Sequence, residues 1–147
     1  NNESIKNTII SDNTGGYLML NHMVDICITG ADRVMGNGDV INKIGTYEKA
    51  VLAYEHNIPF YVAIPCSTID TSSKSASEVI IENRSSTEMS HVSGVYNNEY
   101  INIQLYHEDS DTLNIAFDVT PHKYITGIIT ERGICNPNKE SLHAFIK

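Results

Sequence analysis

Between Gly30 and Thr46 the chain reads GADRVMGNGDVINKIGT, the stretch whose residue types could do chemistry. Asp32 and Arg33 leave an apolar run, Gly36 and Gly38 let the backbone turn tightly, and Asn42-Lys43 leads into a helical pattern. A carboxylate at a strand end can exchange protons with a substrate C–H or hydroxyl when its surroundings tune it. A lysine in the first turn of a helix, beside unpaired backbone N–H groups, can hold a phosphate. The pair predicts a phosphorylated small molecule with an acid/base residue in reach. A plainer reading stands beside it, in which Asp32-Arg33 is a local salt bridge and Gly36-x-Gly38 only a turn. The loop is not a dinucleotide fingerprint, because Ile41 stands where a third glycine belongs. It is not a phosphate-binding loop of the Gly-Lys-Ser/Thr type either.

Other residues weigh less. Asp12, Ser67, Thr68, Asp70 and Asp118 fall near strand ends, where each could bind a sugar hydroxyl or equally cap a helix or close a turn. Cys27 reads as a small core residue inside a strand, Cys66 lies at a strand end, and Cys135 lies in a tail. His56 ends a helix, and His91, His107 and His122 read as surface positions. No His/Asp/Glu cluster has metal-ligand spacing, so no metal is expected.

The elements that must position these groups alternate. Asn7–Ser11 (NTIIS) reads as a short strand, 14–22 as a weak helix, and Val24–Thr29 (VDICIT) as a strand whose continuous apolar character suits burial on both faces. A loop then runs to about Asn42, followed by a helix over about Lys43–His56 with an apolar stripe from Ile44 to Tyr54. Phe60–Pro65 reads as a strand, Ser67–Ser77 as a loop, and Ile101–Tyr106 as a strand within a mixed region. Thr120-Pro121 is a helix start and Gly133 a helix stop, predicting a helix over the interval. Strand–helix alternation at this spacing predicts right-handed βαβ units in a mainly parallel sheet, with ligands beyond the carboxyl ends of the strands.

With 147 residues the chain is one domain, 1–147, able to bury roughly 70% of its unfolded surface. Hydrophobic residues at 41% and charged residues at 19% exclude general disorder. Eighteen acids against ten Lys and Arg give a net charge of −8, the wrong balance for a sequence-independent nucleic-acid binder. No apolar run approaches the length of a membrane span. Three scattered cysteines point to a reducing, cytoplasmic setting, with the nucleus added in a eukaryote. The chain opens on Asn1 without a Met and reads as a piece of something longer.

GADRVMGNGDVINKIGT, NIPFYVAIPCSTID (Asn57–Asp70) and AFDVTPHKYITGIITERG (Ala116–Gly133), in that order and spacing, resemble the methylthioribose-1-phosphate isomerases. That superfamily is shared with the regulatory subunits of translation initiation factor two-B. The resemblance covers Ile5 to Gly133 and is to the carboxyl-terminal, Rossmann-like three-layer α/β domain of that family, the amino-terminal domain lying outside this sequence. It implies a cofactor-free aldose–ketose isomerisation in methionine salvage, on a phosphorylated sugar, by a homodimer. It also implies that Asp32 is the proton donor and that Asn42 and Lys43 contact substrate. Asp32-Arg33 favours the isomerase over a non-catalytic translation-factor subunit, and the loop admits other pentose 1-phosphates. Two departures stand out: Asn114-Ile115 precedes Ala116 where the family has Asn-Pro, and the acidic stretch after Gly94 is longer than usual and reads as a surface insertion.

Overall fold

The computed structural model describes residues 4–73, 79–107 and 109–146. Two four-stranded sheets share one core. The first has the order β1-β4-β9-β10, from Cys27–Thr29, Phe60–Ala63, Gly127–Thr130 and Gly133–Cys135. Its first three strands run parallel, with Ile28 opposite Tyr61 and Val62 opposite Ile128. β10 returns antiparallel through a tight turn in which Gly133 takes φ +122°. Helices α1 (Thr14–Leu20), α2 (Thr46–Glu55) and α4 (Lys139–Ile146) flank this sheet. They bury Met19, Ala50, Ala53 and Leu142 against Val62 and Ile128. The predicted α/β architecture, with parallel strands flanked by helices, is the one found.

The second sheet, in the order β5-β2-β3-β8, stands beyond the carboxyl end of β1. It comprises Ile69–Asp70, Arg33–Met35, Val40–Lys43 and Phe117–Thr120. The stretch from Gly30 to Asn42, predicted as one loop, is therefore largely a hairpin. Gly38 turns it with φ +96°, and a Cβ there would run into the Pro137 carbonyl. Burial would push Asp39 up, but the backbone N–H and ring of His122 and the Asn37 amide outweigh it and hold the carboxyl below its ordinary range. The hairpin tip is thereby tied to the turn after β8.

Other expectations are corrected. Lys43 ends β3 and does not open a helix; its N–H and C=O are in a strand opposite Phe117, and α2 starts at Thr46. Thr120-Pro121 starts no long helix: only a 3₁₀ turn, His122–Tyr124, forms before β9. The β-branched run Ile125–Thr130 instead fills the slot beside β4, with Thr126 N–H donating to the Phe60 carbonyl and Ile64 N–H to that of Ile129. Cys135 is no tail residue but a buried member of β10. Residues 7–11 form no strand and have no partner strand among the described residues, and Ile9 is 95% exposed. The predicted strand at Ile101–Tyr106 is β7 (Glu99–Gln104), paired with β6 (His91–Tyr96) after the short helix α3 (Thr87–Ser90). This hairpin forms its own two-stranded sheet.

Candidate active site

β1 delivers its last residue, Thr29, to the junction between the two sheets, and the chain crosses through Gly30–Asp32 into β2. The Asp32 N–H donates to the Ile41 carbonyl at 3.0 Å, which fixes its backbone against β3. Its side chain borders a cavity of about 240 Å³ with Arg33, Ile41, Val79, Ile80, Glu82 and Phe117. Arg33 does not pair with Asp32. Its guanidinium meets Asp70 at 3.5 Å, on the neighbouring strand β5. Among the described residues the Asp32 carboxylate has no hydrogen-bond or ion-pair partner.

Asp70 is committed elsewhere. The Ser72 and Ser73 hydroxyls and the Ser72 amide donate to it and hold its carboxyl at about 2. It closes a turn, as one of its two sequence readings allowed.

Strand alternation separates the other two predicted site residues. On β3, Lys43 shares a face with Ile41, and opposite them on β8 lie Phe117 and Val119. This is the face of the Asp32 cavity, because Ile41 and Phe117 line it. Lys43 is exposed and has no ion-pair partner among the described residues. Asn42 lies on the opposite face, towards α2. Its Nδ2 donates to Thr29 Oγ1 at 3.1 Å and to Thr46 Oγ1 at 3.0 Å. The Thr46 hydroxyl gives its own proton to the Lys43 carbonyl at 2.6 Å, so it can only accept from Asn42, which orients the amide. The structure thus brings Asp32 and Lys43 to one face and ties Asn42 behind them.

Asp118, opposite Asn42, accepts from Gly45 N–H at 2.7 Å and Tyr47 N–H at 3.1 Å. The amino end of α2 is therefore capped from another strand and does not offer those N–H groups to a phosphate.

Glu82 and Phe117 are cavity residues that sequence reasoning did not single out. They arrive together because Ala116 N–H donates to the Glu82 carbonyl and Arg84 N–H to that of Asn114. That pairing between segments thirty or more residues apart has no local signal. Burial pushes the Cys27 thiol up; burial, with Cys66 nearby, does the same for Cys135. Cys66 is 8% exposed, and its N–H donates to Glu131 Oε2, which, chiefly through that bond, sits below the ordinary carboxylate range. Among the described residues no group of three or more His, Cys, Asp or Glu could hold a metal ion, and no helix is long and apolar enough to cross a membrane. A larger hollow of about 600 Å³, lined by Tyr54, Pro59, Lys123 and Tyr124 among others, lies where β4 and β9 begin. In open α/β sheets ligands sit at the other, carboxyl edge, so the smaller cavity is the candidate.

A family model described as the Initiation factor 2 subunit family matches residues 1–137. The methylthioribose-1-phosphate isomerase of Aquifex aeolicus is 52% identical over 137 residues, covering 93% of this chain and 28% of the relative. That of Desulfatibacillum aliphaticivorans is 45% identical over 142 residues, covering 96% and 38%. The crystal structure of 5-methylthioribose 1-phosphate isomerase from Pyrococcus horikoshii superposes with a TM-score of 0.84 at 43% identity, covering 97% of this chain and 38% of that one. The translation initiation factor eIF-2B subunit delta from A. fulgidus reaches the same TM-score at 37% identity, covering 99% and 40%. The chain spans well under half the length of these relatives. From the family match and these identities, the chain belongs to the Initiation factor 2 subunit family.

Proposed function

We propose that this domain is part of an aldose–ketose isomerase acting on methylthioribose 1-phosphate or a closely similar pentose 1-phosphate, within methionine salvage. The isomerisation breaks the ring C1–O4 bond, moves the C2 hydrogen to C1 and, on balance, the C2 hydroxyl proton to O4, with the phosphate kept on C1, so it needs a group that can hold and return a proton. Asp32 fills that role, while Lys43 holds the phosphate and Asn42 fixes the strand end that carries it. The observation behind this reading is an Asp32 carboxylate on the same sheet face as Lys43, each without a side-chain partner among the described residues. The experiment is an isomerase assay on the longer gene product, following ketose formation, with Asp32→Asn beside it. The expected result is turnover in the wild type and a loss on the order of 10²–10⁴ in kcat for the variant. Wild-type rate in the variant would make Asp32 structural.

A second reading is a non-catalytic subunit that uses the same face for a regulatory sugar phosphate or nucleotide. It is favoured by the A. fulgidus subunit, which matches this chain over nearly all its length. A wild-type protein that binds methylthioribose 1-phosphate without converting it would support that reading.

A further inference from the structure

We propose that Asp118 is a positioning residue for the substrate-holding end of β3, acting from the neighbouring strand through the turn at Ile44–Gly45; the proposal rests on the reading of Lys43 given above. A helix leaves its first N–H groups without intrahelical partners, and a side chain of the residue just before the helix usually takes one. Here that position is Gly45, which has no side chain and takes φ +95°. Asp118 supplies the missing acceptors from β8, one oxygen to Gly45 N–H and the other to Tyr47 N–H.

The placement has a consequence beyond capping. Lys43 and Gly45 are two residues apart, and the Thr46 hydroxyl bonds back to the Lys43 carbonyl. Asn42, opposite Asp118, bonds to both Thr29 and Thr46. The last two residues of β3, the end of β1 and the first turn of α2 are therefore locked together, with a carboxylate at one corner and an amide at the other. Without Asp118 the β3–β8 pairing, the Ile44 N–H bond to the Ala116 carbonyl and the Asn42 corner remain, but the Gly45–Tyr47 turn loses its acceptors, and the direction in which β3 presents Lys43 beside the Asp32 cavity is held less firmly. Asp118 does not line the Asp32 cavity.

The test is a double-mutant cycle in the longer protein with Asp118→Ala, Asp118→Asn, Lys43→Ala and Asp118→Ala/Lys43→Ala, read as kcat and KM for methylthioribose 1-phosphate. Asp118→Ala is expected to raise KM about tenfold with a smaller change in kcat, and Asp118→Asn, which keeps one acceptor oxygen, to recover part of that. In the Lys43→Ala background, Asp118→Ala is expected to change KM less than threefold. A cap that served stability alone would leave KM unchanged or act equally in both backgrounds, and either result overturns the proposal. Should the wild type bind without turnover, the isomerase reading fails alone, and the same cycle is read on the Kd for methylthioribose 1-phosphate with the same expectations. Absence of binding by the wild type would overturn both.

Discussion

Asp32, Asp39 and Asp70 all stand on or beside the β2–β3 hairpin, and their surroundings assign them different work. Asp39 is spent on His122 and Asn37, and Asp70 on Ser72, Ser73 and Arg33. Asp32 is the one of the three without a partner among the described residues, which leaves it available for proton transfer. Lys43 belongs with it. A charge-assisted hydrogen bond to phosphate contributes roughly 1.5–3 kcal/mol, so Lys43→Ala should raise KM some ten- to hundredfold with little change in kcat if the contact is equal in ground and transition states. Steady-state kinetics on the longer protein checks this, and an unchanged KM would remove Lys43 from the site. Asp70 makes a separate prediction. Its folded pKa, about 2, lies below the ordinary carboxylate value near 4, so the turn it closes contributes stability above about pH 4 and loses it as the pH falls toward 2. Asp70→Asn should flatten that part of the acid-unfolding curve. The Arg33 contact adds little, because its partners are 48% and 26% exposed.

At the scale of elements, the β2–β3 hairpin carries the proposed site. Its tip is held by Gly38 against Pro137 and by the Asp39–His122 pair, so the strands it joins enter the second sheet in one register. A side chain at position 38 would need both a left-handed backbone and a shift of the 137 carbonyl. Gly38→Ala should therefore cost about 2 kcal/mol or more in unfolding free energy, measured by denaturant melts. A neutral result would mean that the tip moves away from Pro137 at no cost. The β6–β7 hairpin is of another kind: paired along its length, it exposes Val95, Tyr96 and Tyr100 and packs chiefly on itself and α3. Within the insertion suspected after Gly94, Glu99–Gln104 forms the second strand of this β-arm.

At the scale of the whole molecule, an apolar surface gathers around β1. Among the described residues that strand pairs only with β4, although VDICIT has the composition of a strand buried on both sides. Ile26 and Ile28 are 47% and 60% exposed, and Tyr17, Leu20 and Met23 are more than half exposed nearby in the chain. Surface of this kind is covered in stable proteins. The 147-residue chain on its own should therefore bind a hydrophobic dye and scatter light as more than a monomer, whereas the longer protein should do neither beyond its own defined assembly. A monodisperse, dye-free 147-residue monomer would show that these side chains are content in water.

Residue order alone was enough to place Asp32 beyond a strand, to foresee parallel strands from VDICIT and FYVAIP, and to predict a helix through Tyr47–Tyr54. Those features depend on side-chain chemistry and on periodicities a few residues long, both local. Which face each site residue takes was decided only by packing. Lys43 became the end of a strand because β8, more than seventy residues later, pairs with β3; the same pairing turned Asn42 inward and brought Asp118 to the start of α2. Pro121 reads as a helix start, yet the stretch after it pairs with β4 on one side and β10 on the other, burying Ile125 and Ile128. Residues 7–11 met the opposite outcome, strand composition with no partner strand among the described residues. Strand pairing is a contract between distant segments, so neither partner carries its terms alone.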